Sequence, residues 1–122
     1  MAIDLQKCRD NFHKRAAAQQ AAREKLRLQA HAAATTAILA VAPTYPDVTH
    51  IYLFGSVTQP NCFGQRSDLD IAVVGTDAAS YFALWRDLEA ACPDWAIDLR
   101  EINQPGHFAD MVRQTGALIY DA

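Results

Sequence analysis

The chain has 122 residues, 51% apolar and 20% charged, with a net charge of −3. That is enough for one domain with its own core, and it excludes both a disordered chain and a pair of domains. No stretch approaches the roughly 18 consecutive apolar residues of a membrane span, and Met1-Ala2-Ile3-Asp4 leads into charged residues without an apolar secretory segment. Cys8, Cys62 and Cys92 are odd in number and form no C-x-x-C pair, so neither a zinc site nor a disulfide framework is expected. The expected compartment is a reducing cytoplasm, with no membrane partner.

Residues 4 to about 41 are rich in Ala, Gln, Arg, Lys and Leu and contain no Gly or Pro. They predict one long helix or two stacked ones, with Asp4 as the N-cap and Pro43 and Pro46 as the stop. Its apolar stripe (Leu5, Cys8, Phe12, Ala16, then Leu26, Ala30, Ala33) is built mainly of alanine in the middle. A continuous helix of that length approaches roughly 55 Å, wider than the domain, so its first half should project or lie against a second chain. Residues 1–42 carry +4 and the remainder −7. A basic arm on an acidic body suits nucleic acid or an acidic protein partner, and charges that solubilise an alanine-rich helix account for it as simply. Phe12 is the arm's lone aromatic, which argues against stacking on single-stranded nucleic acid.

From Val48 the pattern becomes strand-like. Val48–Phe54 predicts a first strand ended by Gly55-Ser56, and a loop rich in turn residues runs to Ser67. Asp68–Val74 predicts a second strand stopped by Gly75. Residues 78–91 place Tyr81, Phe82, Leu84, Trp85 and Leu88 at helical spacing. Trp95–Arg100 predicts a third strand, and Pro105 opens a last helix through Val112, after which Gly116 leads into a tail, Ala117–Tyr120. A helix between strands two and three makes those strands parallel through a right-handed crossover.

Asp68-Leu69-Asp70 carries the chemistry. Among eleven aspartates about one such pair arises by chance, and an exposed strand end would explain it equally. Alternation on the strand puts Asp68 and Asp70 on one face, opposite Leu69, Ile71 and Val73. The same alternation leaves Asp98 on that face of strand three, opposite Ile97 and Leu99. Three carboxylates on one surface suit Mg²⁺. The glycine of Gly55-Ser56 permits close backbone approach, although the pair is not a P-loop. His13, His31, His50 and His107 are scattered, and Trp85 and Trp95 are expected core residues.

Phe54-Gly55-Ser56, Ser67-Asp68-Leu69-Asp70-Ile71-Ala72-Val73 and Ile97-Asp98-Leu99, in that order, resemble the minimal nucleotidyltransferases of the DNA polymerase β-like superfamily, as found in HEPN/MNT toxin–antitoxin pairs. The resemblance covers roughly residues 48–120. It implies an α/β (α+β) polymerase β-like fold, a small mixed sheet flanked by helices with a long N-terminal helix. Residues 1–42 would form a helical extension and 43–122 the nucleotidyltransferase domain, in a single compact unit. It further implies that Gly55 and Ser56 hold the triphosphate, that Asp68 and Asp70 are paired metal ligands, and that Asp98 ligates one metal and helps deprotonate the acceptor. The implied reaction is in-line attack of a hydroxyl of a protein or RNA on the α-phosphate of an NTP, ATP foremost, with two Mg²⁺ ions. A HEPN-type toxin is the implied partner, and a homo-oligomer through the N-terminal helix is a further expectation. Where the family usually has an arginine and a glycine after Gly-Ser, this chain has Gln59 and Pro60, and Arg66 becomes the expected phosphate-binding cation. The rival expectation is a catalytically degenerate antitoxin that neutralises its partner sterically.

Overall fold

In the computed structural model, which describes residues 4–122, Asp4 caps a helix that runs unbroken from Leu5 to Val41 (α1). The Asp4 carboxylate accepts the Lys7 N–H at 3.0 Å, satisfying a donor that the first turn leaves without a partner. The helix ends where Ala42–Thr44 tightens into a 3₁₀ turn containing Pro43. Residues 4–23 are all exposed, so the first half of α1 stands clear of the body. Ala30, Ala34, Ala37 and Ile38 are buried, at the i, i+4, i+7, i+8 spacing of one helical face. The short alanine side chains let α1 lie close against the sheet, and Ile38 fills the space at its end.

Four strands form one mixed sheet in the order β3-β2-β1-β4: β1 is His50–Phe54, β2 Leu69–Val74, β3 Ile97–Glu101 and β4 Ala117–Asp121. β1 runs antiparallel to both β2 and β4, and β2 runs parallel to β3. The crossover helix α2 spans Ala78–Ala91, the bounds its apolar spacing predicts. Asp77 and Ser80 form a reciprocal capping box at its start, with bonds of 2.8 and 2.9 Å. A last helix, α3, spans His107–Thr115.

The sheet has an unequal pair of faces. Ile51, Leu53, Leu69, Ile71, Val73, Ile97 and Leu99 meet α1 and α2 in the main core. On the other face Ala72 packs with Ile102, Ala109 and Val112 in a small second cluster, flanked by Tyr52, Phe54 and Val74. α3 covers only part of that second face, and the polar residues of β2 and β3 occupy the rest. Trp85 Nε1 donates to the Ile97 carbonyl at 3.0 Å and Tyr81 Oη to the Leu99 carbonyl, so α2 grips β3 at the carbonyls on either side of Asp98.

Several element bounds differ from the sequence expectation, among them α3, which runs His107–Thr115 rather than from Pro105 through Val112, and β3, which extends to Glu101. β1 begins at His50, because Val48, although buried, precedes the ladder. β2 begins at Leu69, so Asp68 stands just ahead of it, and β3 begins at Ile97 rather than Trp95. The expected tail is a fourth strand, β4, paired with β1 across a register shift at Ile51/Tyr52. Five half-exposed residues give too little alternation to announce a strand; the free edge of β1 supplies the order.

The close approach of α1 is testable. Ala34→Leu should overpack the helix–sheet contact and lower unfolding stability by about 1–3 kcal/mol, read as a fall in the urea midpoint at unchanged slope.

Candidate active site

The register sets the site. Phe54 of β1 lies opposite Asp70 of β2, and Asp70 opposite Asp98 of β3, so the three form one row across the partly covered face. Immediately after Phe54 the chain turns at Gly55, with φ +73°, into a 3₁₀ turn over Gly55–Thr58. A Cβ on Gly55 would stand 2.3 Å from Asp70 Oδ2, closer than real Cβ atoms come, and a tight 3.2 Å from its Cγ, so the Asp70 carboxylate would have to shift. Glycine is thus required twice here, by backbone conformation and by proximity to the carboxylate. The turn is held by Thr58 Oγ1 donating to the Gly55 carbonyl (2.8 Å) and the Gln59 N–H to the Ser56 carbonyl (3.1 Å). Ser56 therefore sits, half-buried, at the mouth of the row.

Asp70 is half-buried and its carboxyl is pushed above the ordinary value, first by burial and then by the charges of Asp98 and Asp68; Arg100 partly offsets them. Asp68 is exposed and stands beside the row rather than in it. Asp98 is engaged by Arg100, with Nε to Oδ1 at 3.2 Å and the guanidinium NH2 group to Oδ2 at 3.3 Å. Arg100 was not expected from the sequence, yet the signal was present: alternation along β3 places residue 100 on the same face as residue 98.

Among the described residues no three His, Cys, Asp or Glu side chains close on one point as a metal set. What is offered is the facing pair Asp70 and Asp98 with Asp68 alongside. These are hard oxygen donors whose mutual repulsion raises Asp70, a crowding that a divalent cation would relieve, so the donor chemistry fits Mg²⁺. Arg66 is not brought into this group. It lies in the tight turn Gly64–Ser67, closed by the Ser67 N–H to the Gly64 carbonyl at 3.0 Å, and lines a cleft against α1 that includes none of the three carboxylates.

A further pair escaped sequence reasoning. Glu24 and Arg27, on the first part of α1 to touch the body, bond each other at 3.0 Å and reach the loop that follows β1. Arg27 donates to the Val57 carbonyl at 3.1 Å, and Glu24 accepts the Asn61 N–H at 3.1 Å. Asn61 itself is left-handed, φ +66°, a conformation asparagine tolerates. From sequence, Glu24 and Arg27 read as a helix-surface pair at i,i+3, because their loop partners are 30 and 37 residues away.

The raised Asp70 has a stability consequence with a definite sign. Because its folded pKa exceeds the ordinary 3.8, the folded state holds the proton more strongly, and stability falls as pH rises through that interval. Without Mg²⁺, Asp70→Asn should therefore raise the Tm measured above the folded Asp70 pKa, and the gain should shrink as the pH falls through it.

Comparison with known proteins places this geometry. A family model described as "Polymerase beta, Nucleotidyltransferase" matches residues 36–122. No curated protein matches the chain significantly. Among solved structures, a chain of a toxin–antitoxin complex with AMP-PNP is 26% identical at a TM-score of 0.60, over 72% of this chain and 73% of that one. A chain of a substituted MntA–HpeT toxin–antitoxin complex is 28% identical at 0.54, over 70% and 69%. A chain of the tri-AMPylated Shewanella oneidensis HEPN toxin in complex with MNT antitoxin is 23% identical at 0.54, over 76% and 73%, a likeness of fold alone. With the family model spanning the whole sheet and every residue of the carboxylate row, the chain belongs to the polymerase β-like nucleotidyltransferase family.

Proposed function

We propose that this chain transfers a nucleoside monophosphate, AMP from ATP foremost, to a hydroxyl of a protein or RNA acceptor, and that it serves as the antitoxin of a HEPN-type toxin in the cytoplasm. The observation that carries the reading is the Gly55–Asp70–Asp98 arrangement: a backbone turn held against one carboxylate of a facing pair. The AMP-PNP complex and the MntA–HpeT complex among the similar structures support the nucleotide and the toxin–antitoxin setting. Residues 43–122 act as the transferase domain and 1–42 as an extension whose second half also completes the core.

Asp68, Asp70 and Asp98 would hold Mg²⁺, which when bound neutralises the triphosphate and the charge that develops on the leaving group. The chain's own contribution is positional. Gly55 brings the turn against Asp70, so that Ser56 Oγ and the turn's backbone can meet phosphate oxygens. Asp98 accepts the proton of the acceptor hydroxyl as its oxygen bonds to the α-phosphorus, and the bond to the departing pyrophosphate breaks. Arg100, beside Asp98, stands where it can balance charge as that proton moves. Glu24 and Arg27 hold the loop from behind, so the turn keeps its shape between turnovers.

Gln59 and Pro60, and the guanidinium already on Asp98, favour the rival reading of steric neutralisation with an idle site. The two separate cleanly. Incubated with Mg²⁺, labelled ATP and the HEPN-type protein encoded beside it, the chain should label that protein and release pyrophosphate. Asp70→Asn and Asp98→Asn should each reduce labelling by about two orders of magnitude or more. Absence of label, together with full neutralisation by an Asp68→Asn, Asp70→Asn double variant, would establish the steric reading instead.

A further inference from the structure

α1 and the turn Gly64–Ser67 enclose an open cleft of about 980 Å³, none of whose lining residues is acidic. Three of them are cations, Arg23 and Lys25 from the helix and Arg66 from the turn, and three are amides, Gln19, Gln29 and Gln65. Among the described residues none of the three cations has a carboxylate within ion-pair distance, whereas Arg27, one turn along the same helix, is paired. In a chain of net charge −3, a cleft whose charged lining residues are all cations presents a site for an anion.

The cleft is preformed. Glu24 and Arg27 tie α1 to Asn61 and Val57, and Phe63, 1% exposed, anchors the loop in the core. Fixed walls lower the ordering cost of a ligand. The composition of the walls then discriminates between anions. No lining aromatic is available to stack on a base, since Phe63 is buried, which disfavours a single nucleic acid strand. The three glutamine amides each donate and accept, as a peptide backbone requires. The cleft also extends to Ser67, the residue before Asp68.

We infer that this cleft is the docking site for an acidic peptide segment of the acceptor protein, drawn in by Arg23, Lys25 and Arg66. Calling the bound protein an acceptor rests on the transfer reading above; the binding itself does not. Lys25 and Arg23 belong to the helical extension and Arg66 to the loop, so the extension acquires a role in choosing what reaches the site.

The test uses the whole chain and a short fluorescein-labelled peptide rich in Asp and Glu with one central Tyr, followed by anisotropy. The acidic peptide should bind, a Lys-rich peptide of equal length should not, and added salt should weaken the binding. Arg23→Gln with Lys25→Gln, both exposed positions, should weaken it about tenfold while leaving AMP-PNP affinity unchanged. Equal binding of the acidic and Lys-rich peptides, or unchanged affinity in the double variant with its circular dichroism intact, would overturn the proposal. So would tighter binding of a single-stranded oligonucleotide of matching charge that is lost on the same substitutions. Binding as described, with no transfer of label from ATP to the peptide tyrosine or to any partner, would uphold the docking site and count against the transfer reading.

Discussion

Two like-charged carboxylates that face each other across a parallel strand pair, with a third beside them, repel, and a fold keeps them together only when the surrounding backbone leaves them little choice. Here the choice is removed by register: Asp70 and Asp98 are directly opposed between β2 and β3, and Gly55 brings the turn after β1 against Asp70 Oδ2. A residue with a side chain at position 55 would have to displace that carboxylate. The main core on one face of the sheet holds the register, and the incomplete cover on the other leaves the carboxylates accessible. The raised Asp70 carboxyl records this arrangement, a local instability held in place by packing elsewhere.

Much of this was legible in the sequence because period-two alternation is rigid. Once Leu69, Ile71 and Val73 face the core, Asp70 must face away, and the same logic fixes Asp98 opposite Ile97 and Leu99. The length of the α2 segment forced a crossover, hence parallel neighbours. Glycine at 55 was legible as a close-approach residue, though not that Asp70 was the group approached. Arg66 shows the limit. Its position in the loop suggested phosphate, but the Gly64–Ser67 turn carries it to the cleft on α1, and no pattern along the chain encodes the direction of a loop. Glu24 and Arg27 were hidden for the same reason, since their partners lie 30 and 37 residues away in a segment without periodicity. β4 was hidden because its order comes from the exposed edge of β1.

α1 gains a second meaning from these contacts. Its alanine face completes the core, its middle turn pins the loop after β1, and its first half is exposed, basic and unsupported by the body. A partner that gripped the exposed half would pull on a rigid element joined by Glu24 and Arg27 to the loop that follows Gly55-Ser56. The family match begins at residue 36, so most of α1 lies outside it.

The row Asp70–Asp98, closed by Gly55, is proposed above as a divalent-cation site that works with a nucleoside triphosphate. Its most direct test is Mn²⁺ binding followed by electron paramagnetic resonance, with AMP-PNP present, in the native chain and in Asp70→Asn. Mn²⁺ should bind with the nucleotide in the native chain and be lost in the variant. Equal Mn²⁺ binding in both, or none in the native chain, would contradict it.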